Sequence, residues 1–107
     1  MTNFGDRERA EEAHFAMEEE MQFRIHARRN RLLGQWAAER MGLSAAEAES
    51  YAKSVVQADF EEAGDEDVIR KLLGDLTAAG VDTNEAEIRL ALDAKQVEAR
   101  RALMGEA

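Results

Sequence analysis

The chain has 107 residues, and its 14 lysines and arginines stand against 23 aspartates and glutamates, which gives a net charge of −9. This length suits a single domain, and the absence of cysteine excludes disulfide bonds, cysteine-based zinc sites and thiol nucleophiles. The acidic balance disfavours nucleic-acid binding, and no apolar run approaches the roughly 20 residues of a membrane-spanning helix. Because proline is absent and alanine, glutamate, leucine and arginine are abundant, we expect a soluble, cytoplasmic, all-α protein.

The first predicted helix runs from about Asp6 to Met41, because apolar residues recur along it at spacings of three, four and seven. These residues are Ala10, Ala13, Met17, Met21, Ile25, Leu32 and Trp36. Gly34 is tolerated inside this helix at a cost of about 1 kcal/mol relative to alanine. Gly42 is expected to end the helix. Trp36, the only tryptophan, is expected to anchor the core.

Two shorter helices are predicted next from their capping residues. The pattern from Ser44 to Glu47 is a capping box, in which each side chain bonds to the backbone of the other residue, and it opens the second helix. Gly64 is expected to stop that helix, and Asp65 to cap the third one with acidic residues in its first turn. Gly80 is expected to end the third helix.

A fourth helix is predicted to begin at Asp82 or Thr83. The expected buried sides of the last three helices contain Ala48, Ala52, Val55, Val56 and Phe60, then Val68, Ile69, Leu72, Leu73 and Leu76, then Ile88, Ala91, Leu92, Val97 and Leu103. Because the connecting loops are short, consecutive helices pack antiparallel. We therefore predict a four-helix bundle whose core includes Trp36, Val55, Leu72 and Leu92.

The N-terminal segment differs from the rest of the chain in its apolar content. Apart from Phe4, Phe15 and Met17, its apolar stripe consists of alanine. At ~25 cal/mol per Å², burial of alanine does not offset the ~1–2 kcal/mol per residue that backbone ordering costs. We therefore expect residues 1–18 to form a mobile, fraying arm in the free, monomeric protein and residues 19–107 to form the bundle domain.

Charge is distributed unevenly along the chain. Residues 21–31 carry a net charge of +4, whereas residues 1–20 carry −5 and residues 44–67 carry −7. Arg28, Arg29 and Arg31 therefore form a basic patch between acidic segments. The favoured interpretation is that they bridge to the acidic second helix within the bundle. The alternative is a site for an acidic partner or for ADP or ATP, whereas the lack of interleaved aromatic residues argues against nucleic acid.

Few residues suggest catalytic or metal chemistry. His14 lies three residues after Glu11 and four before Glu18, a spacing that suits a weak divalent site. The favoured interpretation is a solvated acidic face, in which the carboxylates raise the pKa of His14. The run from Glu18 to Glu20 does not converge on one site, because adjacent helical residues point in different directions. Since no nucleophile–base pair, glycine-rich phosphate loop or zinc spacing is present, we expect no enzyme, no metal site and no tightly held cofactor.

Three segments of the chain carry a family resemblance. They are Phe4-Gly5-Asp6-Arg7-Glu8-Arg9-Ala10, then Ala27-Arg28-Arg29-Asn30-Arg31-Leu32-Leu33-Gly34-Gln35-Trp36-Ala37-Ala38, then Ala58-Asp59-Phe60-Glu61-Glu62-Ala63-Gly64-Asp65-Glu66-Asp67-Val68. In this order they resemble the zeta subunit of alphaproteobacterial F-type ATP synthases, a family first catalogued as a domain of unknown function. The resemblance spans nearly the whole chain. It implies a four-helix bundle whose N-terminal segment inhibits ATP hydrolysis and which has no catalysis of its own.

The resemblance also implies where this inhibitory segment binds. About Thr2 to Glu19 would enter the interface between a catalytic and a non-catalytic subunit of the ATPase head, against the central stalk, and block rotation. The partner-binding residues of this arm would be Phe4, Asp6, Arg7, Arg9, Ala10, His14, Phe15 and Met17. Glu11 stands where the family commonly has an aromatic residue and His14 where it commonly has a lysine, so the arm is less apolar and less positive here.

The implied location is the cytoplasm, with peripheral attachment to the inner membrane through the ATP synthase. Neither nucleic acid nor direct membrane insertion is expected. The alternative function is an adenine-nucleotide-binding helical sensor that uses the patch of Arg28, Arg29 and Arg31. The two functions are compatible, because a regulator of an ATPase could respond to ADP or ATP.

Overall fold

The computed structural model describes the backbone of residues 3–61 and 64–105 and the side chains of residues 18–59 and 64–105. It contains four α-helices, α1 (Asn3–Arg40), α2 (Ala45–Glu61), α3 (Asp65–Ala78) and α4 (Glu85–Leu103). Within these described residues no strand is present. The all-α four-helix bundle predicted from the sequence is therefore confirmed.

The long helix α1 contacts all three other helices, and its broadest contacts are with α2 and α4. The core between the helices consists of Leu33, Ala37, Val55, Val68, Ile69, Leu72, Leu76, Ile88 and Leu92. Trp36 packs against this core but is only half-buried, and the Arg40 guanidinium lies 5.0 Å from the centroid of its ring. Val97 is 50% exposed, so the prediction that it lies on the buried side of the last helix is wrong.

The predicted capping box at the start of α2 is confirmed. The backbone N–H of Ser44 donates to Oε1 of Glu47 at 2.9 Å, and the backbone N–H of Glu47 donates to Oγ of Ser44 at 3.2 Å. Hydrogen bonding of the Glu47 carboxylate to Ser44, first to its backbone N–H and second to its side chain, lowers the pKa of Glu47. The local pattern of serine followed three residues later by glutamate was sufficient to predict this helix start.

The end of α1 also follows the sequence prediction. Gly42 adopts a φ of 73°, and its N–H donates to the carbonyl of Glu39 at 3.1 Å while Leu43 donates to Ala38 at 3.0 Å. This pair of bonds is the Schellman motif, in which the residue at the position of Gly42 has a left-handed conformation that favours glycine. The predicted termination at Gly42 is therefore confirmed.

The predicted N-caps of the last two helices are wrong. Gly64 occupies the N-cap position of α3, and Asp65 is already the first helical residue. Helix α4 is capped by Asn84, whose Oδ1 accepts a hydrogen bond from the backbone N–H of Glu87 at 2.9 Å. Asp82, Thr83 and Asn84 are all good cap residues. Sequence preference alone therefore does not select among these three consecutive positions.

Gly34 allows α1 and α2 to approach closely. A Cβ atom built on Gly34 would lie 2.7 Å from Cα of Ala52 and 3.1 Å from a methyl carbon of Val55. The first of these atoms belongs to the backbone of α2, so a side chain at position 34 would push the helices apart. The sequence alone predicts only that Gly34 is tolerated within α1. The close packing of α1 against α2 shows that a glycine is required at this position.

This difference predicts opposite effects of the same substitution at two helical glycines. A Cβ at Gly74 in α3 meets no atom within 4 Å, so Gly74→Ala should stabilise the fold by about 0.5–1 kcal/mol through helix propensity. Gly34→Ala should destabilise the fold by about 1–3 kcal/mol, because overpacking exceeds the same propensity gain. Urea unfolding of both variants measures these changes. Stabilisation by Gly34→Ala would show that the helices separate without cost.

Helix α1 is much longer than the helices that pack against it. Its 38 residues extend over about 57 Å, whereas the 17 residues of α2 and the 19 of α4 extend over about 26 and 29 Å. Among the described side chains, the contacts of α1 with α4 extend from the hollow that Met21 shares with Met104 to the ion pair between Arg40 and Glu87. The N-terminal half of α1 thus continues beyond the bundle.

Candidate functional site

The predicted inhibitory arm coincides with the N-terminal half of α1. From Asn3 to residue 17 its backbone is helical and continuous with the helix of the bundle. The side chains proposed to bind a partner lie outside the described residues; they are Phe4, Asp6, Arg7, Arg9, Ala10, His14, Phe15 and Met17. Glu11 also lies outside the described residues. The possible metal site at His14 and the expected rise in the pKa of His14 therefore stay predictions as well. The roles of these residues and the predicted mobility of the arm stay predictions.

The three arginines of the basic patch lie in different environments. Arg29 is only 2% exposed, and its Nε and Nη2 donate to Oδ1 of Asn30 at 3.1 and 2.9 Å. Its Nη1 lies 3.0 Å from a carboxylate oxygen of Asp65. Asn30 in turn donates to Asp59 at 2.7 Å, and Nδ1 of His26 lies 3.8 Å from the same carboxylate oxygen. Arg29 is therefore occupied inside the bundle, where it connects α1 to the start of α3.

Arg28 and Arg31 instead face a groove on the outside of the bundle. Arg31 lies 3.4 Å from Glu49 of α2, as the bridging interpretation predicts for that residue, whereas Arg28 makes no ion pair with any residue whose side chain is described. The groove has a volume of about 870 Å³. Its lining residues are Phe23, Arg24, Ala27, Arg28, Arg31, Leu32, Gln35, Lys53, Val56, Gln57 and Leu103.

Two cations of this groove were not among the residues singled out from the sequence. Arg24 precedes Arg28 by four residues and Arg31 by seven, a spacing that places all three on one helix face. Lys53 faces them from α2. The helical spacing could have identified Arg24, but the contribution of Lys53 depends on how α2 packs. Of the described residues that line the groove none is acidic, so the groove suits an anion with an apolar portion.

Other kinds of site find no support in the described residues. Among side chains 18–59 and 64–105, no group of three histidines or carboxylates is arranged to hold a metal ion. No helix in the described part of the chain is long and apolar enough to cross a membrane. The candidate sites are therefore the projecting half of α1 and the basic groove beside it.

Comparisons with known proteins identify the family of the chain. A solved structure, determined by solution NMR, is 50% identical in sequence with a TM-score of 0.71, and the match covers 81% of this chain and 99% of that chain. A search of curated proteins gives no match. The family model described as ATPase inhibitor subunit zeta matches residues 1–102, which include both the projecting half of α1 and the bundle. The chain therefore belongs to the ATPase inhibitor subunit zeta family.

Proposed function

We propose that this protein is a regulatory, non-enzymatic subunit that inhibits ATP hydrolysis by an F-type ATP synthase. Its N-terminal arm, residues 1–18, enters the catalytic head between a catalytic and a non-catalytic subunit, against the central stalk, and blocks rotation. The protein is cytoplasmic and peripherally attached to the inner membrane through the synthase. The observation that supports this mechanism is the projection of α1 beyond the helices that pack on it. Membership of the ATPase inhibitor subunit zeta family supports the ATP synthase as the target of inhibition.

The composition of the arm favours binding to a preformed groove. Phe4, Phe15 and Met17 are too few to bury one another within the arm. A groove in a partner supplies the missing apolar surface, and the energy of burial then offsets the cost of ordering the arm. Arg7 and Arg9 pair with carboxylates of the partner. The bundle remains outside the head, because its folded width of more than 20 Å exceeds that of a single helix.

One of the two phenylalanines of the arm, Phe15, provides the test. Phe15→Ala should raise the concentration needed for half-inhibition of ATP hydrolysis by about tenfold or more, since buried aromatic anchors carry much of the energy of an interface. Leu90→Ala is the matched control, because Leu90 is a 71% exposed apolar residue of the bundle. Neither variant should change the melting temperature appreciably. Equal inhibition by the wild type and Phe15→Ala would contradict the proposed role of the arm.

The target itself is tested by co-purification. A tagged copy expressed in its native cell should bring down the large subunits of the ATP synthase head together with its central stalk. The arm-deleted protein, expressed at the same level, is the control for binding through the tag. Recovery of the tagged protein without these subunits would contradict the proposed partner.

The second candidate function is adenine-nucleotide binding in the basic groove. The observation that favours it is the convergence of Arg24, Arg28, Arg31 and Lys53 on a groove with apolar walls. Such a site suits a molecule that joins phosphates to a flat apolar ring. Arg29 does not take part, because its guanidinium is bonded to Asn30 and Asp65 inside the bundle.

Titration with ADP and ATP, followed by NMR chemical shifts, tests this second function. Shifts should be confined to the groove, and Arg28→Glu should weaken binding at least fivefold. Arg70→Glu is the control for net charge, since Arg70 is an exposed arginine on α3. Equal weakening by the two substitutions would indicate a non-specific charge effect. Absence of shifts at millimolar nucleotide would exclude the sensor function.

A further inference from the structure

Helix α4 carries an apolar stripe on the side that faces away from the bundle. Leu90, Val97 and Met104, which form this stripe, are 71%, 50% and 56% exposed and follow one another at intervals of seven residues. Seven residues are close to two helical turns, so the three side chains lie in line along about 21 Å of helix. The buried residues Ile88 and Ala99 lie on the opposite side of α4. The core therefore leaves the stripe exposed to solvent.

The spacing of the stripe is that of a contact between two helices. Apolar residues that are exposed singly need no explanation, but these three side chains form a continuous strip. Ala86 and Ala94, each four residues from Leu90, are also exposed and keep the strip narrow and free of bulky polar groups. A repeat of seven residues is typical of helices that pack along a second helix. The exposure of the stripe leaves the place of that second helix open.

Charged residues flank the stripe on both sides of Val97. Asp93 precedes Val97 by four residues and Arg101 follows it by four, so each lies beside the stripe, one turn from Val97. Arg100 adjoins Arg101 in the last turn of α4. All three charged residues are exposed, and none forms an ion pair with any residue whose side chain the structure describes. The helix dipole favours cations at this end of α4, but it does not explain the stripe beside them.

We propose that the stripe is the contact surface between two copies of this chain, which pack antiparallel along α4 about a two-fold axis beside Val97. Such a contact brings the same surface of each copy together. A residue before Val97 in one copy then faces the residue at the same distance after Val97 in the other copy. Val97 meets its own equivalent, and Leu90 meets Met104 because each lies seven residues from Val97. The stripe of each copy is thereby covered along its whole length.

The charges support a second copy as the occupant, because they are complementary about the same axis. Asp93 and Arg101 each lie four residues from Val97, so the aspartate of one copy faces the arginine of the other, twice in the dimer. Arg100 brings a second cation to the same end of the contact. A parallel arrangement would instead place each of these residues beside its own equivalent, and like charges in contact are unfavourable. The charges therefore select the antiparallel arrangement.

The acidic character of the chain limits the strength of this contact but does not prevent it. The chain has a net charge of −9, whereas residues 86–104 are close to neutral, with four cations and three anions. One pair of helices of this length buries less than the roughly 800 Å² per partner of a standard interface, so we expect a dissociation constant of about 0.1–1 mM. The monomer expected from the sequence is then the form present in dilute solution.

The dimer leaves both arms free. Helix α1 runs antiparallel to α4, since Met21 and Met104 share a hollow at one end and Arg40 pairs with Glu87 at the other. An antiparallel pair of α4 helices therefore directs the two arms toward opposite ends of the dimer. Dimer formation goes beyond the proposed function and does not depend on it.

Sedimentation equilibrium of the full-length protein, at concentrations that span the expected dissociation constant, tests the contact. The wild type should pass from monomer to dimer. Val97→Asp should raise the dissociation constant about tenfold or more, because it removes the central apolar contact and places two carboxylates against each other at the axis. Ser50→Asp is the matched control, since it adds the same charge at an exposed position of α2 and should leave dimer formation unchanged. Thermal melting in dilute solution checks that each variant is folded.

A pair of charge reversals tests the two-fold geometry. Asp93→Arg brings arginines together and Arg101→Asp brings aspartates together, so each variant alone should form a dimer about tenfold more weakly than the wild type. An equimolar mixture of the two should recover dimers, because both contacts of a mixed dimer then join an arginine to an aspartate. Arg70→Asp on α3 has the same net charge as Arg101→Asp. Its mixture with Asp93→Arg should recover fewer dimers, since only one contact is restored.

Three results would overturn the inference and leave the proposed function intact. They are a wild type that stays monomeric throughout, wild-type dimer formation by Val97→Asp, and a mixture of Asp93→Arg with Arg101→Asp that forms no more dimer than its components. A monomeric wild type combined with weaker inhibition by Val97→Asp would show that the stripe binds the ATPase head, which also overturns the inference. Failure of the wild type to inhibit ATP hydrolysis would contradict the proposed function alone.

Discussion

Removal of residues 1–19 is expected to leave a cooperatively folding bundle that has lost its inhibition of ATP hydrolysis. All residues of the described core, from Leu33 to Leu92, lie in the retained part. The capping box at Ser44 and the polar connections of Arg29 are retained as well. Because α1 is about twice as long as α2 and α4, we expect the loss of its N-terminal part to expose little of this core. The proposed inhibitory residues, in contrast, are all removed.

The folded state of the truncated protein is measured by circular dichroism during thermal unfolding. We expect a single transition within a few degrees of that of the full-length chain, since terminal segments with few buried contacts add little stability. Loss of the cooperative transition would show that the arm is part of the folding unit. The division into residues 1–18 and 19–107 would then be wrong.

Leu72→Ala is expected to have the reverse effect, with a large loss of stability and no loss of inhibition. Leu72 is completely buried in the middle of α3 and belongs to the core shared by the four helices. Truncation of such a leucine costs about 2–5 kcal/mol, because both the buried surface and the filled volume are lost. The proposed inhibitory residues lie in the arm and not in α3, so the variant should inhibit as the wild type does wherever it is folded.

The measurement is urea unfolding combined with an inhibition assay at a temperature well below the transition. Leu90→Ala is the control, because truncation of an exposed leucine changes stability by no more than about 0.5 kcal/mol. A cost below about 1 kcal/mol for Leu72→Ala would contradict the packing described for the core. Loss of inhibition by the folded variant would place part of the inhibitory surface on the bundle.

Local signals in the sequence predicted much of the fold. The capping box at Ser44 and the glycine at position 42 each determine a helix end through the backbone of a few neighbouring residues. Apolar periodicity gave the helix number and placed Val55, Leu72 and Leu92 on the faces that are buried in the structure. The family resemblance rested on short ungapped segments, and the family match over residues 1–102 confirms it.

The features that the sequence did not predict depend on contacts between helices. Gly34 is required because Ala52 of α2 lies against it, and no pattern within α1 indicates that neighbour. Arg29 is buried while Arg28 is exposed, which follows from the position of Asp65 at the start of α3. Val97 lies on an apolar face by spacing alone, yet its side chain is 50% exposed. In each case the environment of the residue depends on how the other helices pack around it.

The division of roles between arm and bundle is the basis of this account, and one assay tests it most directly. ATP hydrolysis by the isolated catalytic head is measured with a saturating concentration of either the full-length protein or residues 20–107. We expect the full-length protein to suppress hydrolysis and the truncated protein to leave the rate unchanged, because only the first contains the segment that enters the interface. Full inhibition by residues 20–107 would place the inhibitory surface on the bundle and contradict the proposed mechanism.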